Sequence, residues 1–301
     1  MKSLFLPLCL FTLILMQGCG GTKKHNDADQ TSGNNSHSKV PVPPATNSMT
    51  IYTEKDLIGY WVGQFGQDSD KFFDDKQYNT INISIDQIKG SQVKGHTVIA
   101  GKVRFFKCIM VEIGSRYQFS FKGGSDEKGI GTYNFGILKG ESVMTGRWDA
   151  GDENTAHAFK LTKNLFKYDP DTKLTNQPYV DFAKSKTVTE KVDDTTSYRQ
   201  ERYFSTSDDV KKYNASTEEL SIEYLSKLKK ADLLIIRNSI FARHGYTFKK
   251  PLLSFYFSQQ PWYVPISSDV NKELTDIEKK NLELIKPYEK YAEEYYGAFG
   301  R

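Results

Sequence analysis

The residues of this chain best suited to chemistry fall in one run, Arg237-Asn238-Ser239-Ile240-Phe241-Ala242-Arg243-His244-Gly245-Tyr246-Thr247-Phe248. His244 could serve as a general base, with Arg243 or Arg237 holding an anion and a carboxylate such as Glu278 nearby. The same stretch could instead bind. Tyr246, Trp262 and Tyr263 offer rings that stack on sugar faces, and Arg243 offers a fork for carboxylates such as those on peptide stems. Placement weighs against catalysis. On a helical wheel, His244 and Arg237 project into the apolar stripe formed by Leu233, Ile236 and Ile240, and Arg243 falls at its edge. A histidine on such a stripe, next to a helix stop, is ordinarily a satisfied core group. The chain has no nucleophile elbow, phosphate loop or HExxH spacing. The reading therefore leans away from an enzyme and assigns no catalytic residue, no cofactor and no metal ligand. His96 and His157 stand several strands apart with no third ligand at metal spacing.

Several elements must position these residues. The apolar period predicts a helix from about Lys229 to His244, stopped by Gly245 where a left-handed residue is needed. A second long helix starts at Thr275, since Thr275-Asp276-Ile277-Glu278 has the form of a capping box. Its expected buried face is Ile277, Asn281, Leu284, Ile285, Tyr288, Tyr291 and Tyr295, with a kink at Pro287. A polar group on an apolar face needs a partner, because burying it unpaired costs about 1–3 kcal/mol. We therefore expect a buried polar cluster of Arg237, His244 and Asn281 joining the two helices. Around them, Ser216-Thr217-Glu218-Glu219 reads as the cap of a short helix reaching about Leu225. Pro251 to Phe257 reads as a short helix with proline in its first turn, and Pro261-Trp262-Tyr263-Val264-Pro265 as a turn.

The run from about Ser216 to Lys290 resembles the YARHG domain of bacterial envelope proteins. The matching residues are Leu233, Arg237, Asn238, Ile240, Ala242 to Tyr246, Phe248, Phe257, Trp262-Tyr263, Glu278, Asn281 and Ile285, with Phe241 in place of the usual Tyr. The resemblance implies an exported, mostly helical domain of about 70 residues, with a cell-wall-related role and no assigned catalytic residues. The missing hydroxyl at Phe241 removes any role that needs it.

The rest of the chain speaks to location. Met1-Lys2 and the apolar run from Leu4 to Met16 have the form of a signal peptide, too short for a spanning helix. The run ends Leu15-Met16-Gln17-Gly18-Cys19, which resembles the lipobox of bacterial lipoproteins, so Cys19 is the expected acylation site. Two or three acyl chains there would anchor the protein stably. Gly20 to Thr50 is a polar tether containing Pro41-Val42-Pro43-Pro44, with a reach of about 30 Å. Loss of Cys9 with the signal and acylation of Cys19 leave only Cys108, so no intramolecular disulfide is expected. Net charge is +4, too small and too mixed for a nucleic-acid partner.

From Leu57 to about Tyr168 the period changes to two. Strands are predicted at Ile58 to Phe65, Thr80 to Gln87, Val93 to Ala100, Val103 to Glu112, Arg116 to Lys122, Gly131 to Leu138, Ser142 to Trp148 and Ala156 to Lys163. Glycine and aspartate punctuate them, as in a meandering antiparallel barrel or sandwich similar in layout to lipocalin- and avidin-like barrels. Its interior could hold a small ligand, but Phe105, Phe106, Phe119, Phe121 and Phe135 argue for one filled by side chains. Lys167 to Asn214 is polar, with short strands near Thr187 to Val192 and Tyr198 to Phe204.

The sequence thus describes an α+β protein. Residues 1–18 are a signal peptide, 19–50 a tether, 51–168 an antiparallel β-domain, 169–215 a linker and 216–301 a helical domain. The expected function is non-enzymatic binding in the cell envelope, to peptidoglycan or another envelope component, with membrane attachment through Cys19. The alternative is a structural lipoprotein whose β-domain contacts an envelope protein or small ligand; a hydrolase using His244 ranks third. With no Asp after Cys19, the outer membrane is favoured over the inner.

Overall fold

The stretch in which polar and apolar residues alternate closes into an eight-stranded antiparallel barrel. Its strands are β1 (Gly59–Gly66), β2 (Thr80–Lys89), β3 (Gln92–Ile99), β4 (Lys102–Ile113), β5 (Arg116–Gly123), β6 (Gly131–Leu138), β7 (Val143–Asp149) and β8 (Ala156–Asn164). Each pairs with its neighbour in sequence, and β1 pairs with β8 to close the ring. The computed structural model describes residues 53–66, 80–123, 131–150 and 156–296. The signal peptide, Cys19 and the tether lie outside the described residues.

Closure with a period of two puts alternate side chains inside, and they fill the interior. Trp61 is fully buried, and its indole donates to the Leu57 carbonyl at 3.0 Å. Phe106 stacks on Phe121 with centroids 3.8 Å apart, and Phe119 on Phe135 at 4.8 Å. Among the described residues the interior is thus packed with side chains, as the aromatic content predicted. Phe105, expected inside with the others, points outward and is 82% exposed. Cys108 is half-buried against this core, and burial pushes its thiol up to about 11, away from reactive thiolate.

The remaining chain forms a hairpin and four helices. The hairpin is β9 (Val180–Lys191) and β10 (Ser197–Ser205); the helices are α1 (Ile222–Leu225), α2 (Lys230–Arg243), α3 (Pro251–Ser258) and α4 (Asp276–Tyr296). β9 starts earlier than predicted because most of the hairpin is exposed on both faces, so its sequence lacks an apolar period. Residues 169–215 do more than connect. Tyr179, Phe204 and Val210 enter the same core as Leu233, Ile240 and Ile285.

Three local expectations need correction. The cap of α1 is Ser221, whose hydroxyl accepts from the Tyr224 amide at 3.1 Å, while Asn214 to Thr217 form a turn. α2 is buried around most of its circumference and not along one stripe, because α4 lies on one side and β10 and the 208–211 turn on others. On α4 the buried residues are Glu278, Asn281, Leu282, Ile285 and Ala292, whereas Tyr291 is exposed. The side chain of Tyr295 lies outside the described residues. The helix continues through Pro287.

The barrel and helices share a seam. The outward side chains Asn82, Ser84 and Val98 of β2 and β3 are buried, and Asn82 Nδ2 donates to the Pro265 carbonyl at 2.8 Å. The two-residue turn joining β3 to β4, Ala100-Gly101, has φ of 48° and 76°. The Gly101 amide donates to Thr247 Oγ1 at 3.3 Å, and a Cβ on Gly101 would meet Lys249 Cγ at 2.1 Å. No described helix is long and apolar enough to cross a membrane.

Candidate functional site

The site is built outward from the end of α2. His244 is its C-cap and Gly245 follows with φ of 75°. The Gly245 amide donates to the Ala242 carbonyl at 2.9 Å and the Tyr246 amide to the Phe241 carbonyl at 3.1 Å. These are the two bonds of a Schellman motif, which satisfies carbonyls the helix leaves over. Space as well as backbone conformation requires glycine: a Cβ would lie 2.5 Å from Ile266 Cγ1 and 2.9 Å from the Val264 carbonyl oxygen.

The reversal aims His244 at the start of α4. Its Nε2 lies 2.7 Å from Glu278 Oε2, and its ring stacks on Tyr168 with centroids 4.2 Å apart. Tyr168 donates to the other Glu278 oxygen at 3.2 Å. Glu278 also closes the predicted capping box, accepting from the Thr275 amide at 2.9 Å while its own amide donates to Thr275 Oγ1 at 3.3 Å. Burial pushes the Glu278 carboxyl up, but His244, Ser216 and the Thr275 amide together hold it below the usual carboxylate range. Burial and the adjacent Glu278 push the Tyr168 phenol up to about 12, so it stays a donor.

Arg243 is buried too. Its Nη2 and Nε donate to the Thr172 carbonyl at 2.9 and 3.3 Å, and its Nη1 donates to the Ser239 and Ser216 hydroxyls at 3.0 and 3.4 Å. Burial pulls its guanidinium down to about 10, opposed by the charge of Glu278. The guanidinium lies 5.7 Å from the Trp262 ring centroid, and the Trp262 indole donates to the Lys173 carbonyl at 3.0 Å. Tyr263 is buried and donates to the Tyr246 carbonyl at 2.8 Å. Gln260 accepts from the Thr175 amide at 2.9 Å. The four residues expected to meet a ligand, Arg243, Tyr246, Trp262 and Tyr263, do lie together around the Gly245 turn. What Arg243 and Trp262 hold, however, is the chain's own segment 166–175, a strap leaving the barrel.

The other expected grouping divides into three. His244 meets Glu278. Arg237 pairs with Glu289 of α4 through two bonds, at 2.7 and 3.2 Å. Asn281 accepts from the Leu220 amide at 2.9 Å and donates to the Ala215 and Glu218 carbonyls at 2.8 Å each. Each joins a helix to something, but none of the recorded bonds joins one of the three to another.

Sequence reasoning missed Tyr168 and the strap carbonyls, which sit in a polar stretch with no period, and Glu289, which lies on α4 outside the face expected to be buried. It also missed Asp232, fully buried in the first turn of α2. Asp232 accepts from Ser207 through its amide at 2.7 Å and its hydroxyl at 2.8 Å, and from the Lys229 amide at 3.1 Å. An aspartate three residues past a helix start was the available signal.

Comparison with known protein families matches residues 209–290 to the YARHG domain. This part of the chain is a YARHG domain. It begins a few residues before the stretch that carries the resemblance and ends at the same place. No curated protein and no solved structure matches the chain. Two cavities, of about 530 Å³ on the barrel and about 20 Å³ beside α1, α2 and α4, are not lined by the YARHG residues His244, Arg243 or Trp262.

Proposed function

We propose that this protein is a lipid-anchored, non-enzymatic binding protein of the cell envelope, attached through acylated Cys19 and directed at peptidoglycan or another envelope component. The YARHG domain supports an extracytoplasmic place for the chain. The observation that bears on where contact falls is the strap: Arg243 and Trp262 bond the carbonyls of Thr172 and Lys173. The YARHG domain acts as a buttress, and contact with the outside falls to the barrel.

The test is retention of the soluble form, residues 50–301, on insoluble peptidoglycan sacculi. Retention is expected, and it should persist in Trp262→Phe once circular dichroism shows an intact fold. Loss in that variant would return the contact surface to the Gly245 turn. No retention of the wild type would remove the wall as ligand and favour a protein partner. That second reading has its own support in the exposed apolar row Phe105, Ile109, Val111 and Ile113 on β4. Attachment is tested by Cys19→Ser, which should move the full chain from the membrane fraction to the soluble fraction and abolish palmitate labelling.

A further inference from the structure

The outer wall of the barrel has two unlike halves. β2 and β3 carry the YARHG domain, while no described residue covers β4 to β7. Registers place the open side chains in rows. Ile109, Ser120, Asn134 and Arg147 form one row, and Val111, Gln118, Gly136 and Thr145 the next. Ile113 and Arg116 begin a third. Neighbouring strands lie about 4.8 Å apart, so the first row runs about 14 Å from an aliphatic edge, across amide and hydroxyl groups, to an arginine.

These rows line the cavity of about 530 Å³, within the roughly 300–1,000 Å³ usual for small-ligand sites. Its floor is low at Gly136, where a Cβ would sit 3.0 Å from Arg116 Cδ; the stem of Arg116 lies across that gap. Three features mark it as more than a solvated face. Ile109, Val111 and Ile113 are 53%, 50% and 56% exposed, a contiguous aliphatic edge in water. Arg116 and Arg147 have no ion-pair partner among the described residues. No carboxylate among the described residues lines the cavity.

The chemistry narrows the ligand. The aromatic rings at the cavity, Phe119 and Phe135, are buried in the barrel core, so no platform is offered to a sugar face. β5, β6 and β7 are paired on both sides at the rows lining the cavity, and β4 lacks a β3 partner there only over the three residues from Val111 to Ile113, so little strand edge is left to add a peptide by its backbone. What remains is an edge for small aliphatic groups, hydrogen-bonding groups for amides, and two forks for carboxylates.

We propose that this groove binds a short peptide bearing carboxylates and small aliphatic side chains, the chemistry of a wall stem peptide. Arg116 and Arg147 hold the carboxylates, and Ile109, Val111 and Ile113 receive the methyl groups. The proposal deepens the wall-binding reading and rests on it for the ligand's source. Its test is calorimetric titration of residues 50–301 with free L-alanyl-γ-D-glutamyl-L-lysyl-D-alanyl-D-alanine.

Saturable binding is expected, weakening as salt rises. Arg116→Gln with Arg147→Gln should weaken it at least about tenfold. Arg199→Gln on β10 should leave it unchanged. Both arginines of the groove leave the barrel outward, so circular dichroism of the double variant should match the wild type. No saturable binding by the wild type, or equal binding by the double variant, would overturn the proposal. Sacculus retention without peptide binding would overturn the groove and keep the wall reading. Peptide binding without retention would keep the groove and remove the wall as its source.

Discussion

At Gly245 the chain must turn left-handed and pass within van der Waals contact of Val264, Ile266 and Phe166. Gly245→Ala meets both a conformational penalty and a clash, so it should lower stability by about 2–4 kcal/mol in urea denaturation. Glu278 makes a separate prediction through pH. Its folded-state pKa lies below the ordinary glutamate value of about 4.3. Its contribution is therefore complete above that value and is lost as pH falls through the folded value. The gap in urea midpoint between wild type and Glu278→Gln should be widest near neutrality and shrink below about pH 4. A gap that stays constant with pH would mean that Glu278 acts through packing and not charge.

Between elements, the seam of barrel and helices depends on two short-range devices. Asn82→Ala leaves the buried Pro265 carbonyl without its donor and should cost about 1–3 kcal/mol. Gly101→Val drives a side chain into Lys249 and strains a left-handed turn residue. In calorimetry the wild type should unfold in a single transition, and this variant in a broadened or split one. Legibility from sequence follows the same physics. Every barrel strand was readable to within about two residues, because one face of each meets a core and the period of two survives. The Schellman stop at Gly245 and the capping box at Thr275 were readable because each is a local constraint on residue type. The strap partners of Arg243 and Trp262 were not, since they are backbone carbonyls, which every residue has. The cluster of Arg237, His244 and Asn281 failed as a unit for a related reason. A helical wheel gives direction around the axis but not which neighbour waits there, and three different neighbours did: Glu289, Glu278 and the 215–220 loop.

On the scale of the whole molecule, the strap is the feature with the widest reach. Phe166, Tyr168, Thr172, Lys173 and Thr175 precede residue 209, where family similarity begins, yet they contact or complete Gly245, His244, Arg243, Trp262 and Gln260. The similarity thus marks a shorter segment than the one that must fold. An excised fragment of residues 209–290 would bare the charge of Arg243 and one face of His244, and would lack the core contributions of Tyr179 and Phe204. It should give weak near-ultraviolet dichroism and a non-cooperative melt, while residues 166–301 should melt cooperatively. Anyone transplanting this domain onto another protein would need to carry its leading forty-odd residues with it: the portable part is the strap, hairpin and helices together, cut just after the last barrel strand.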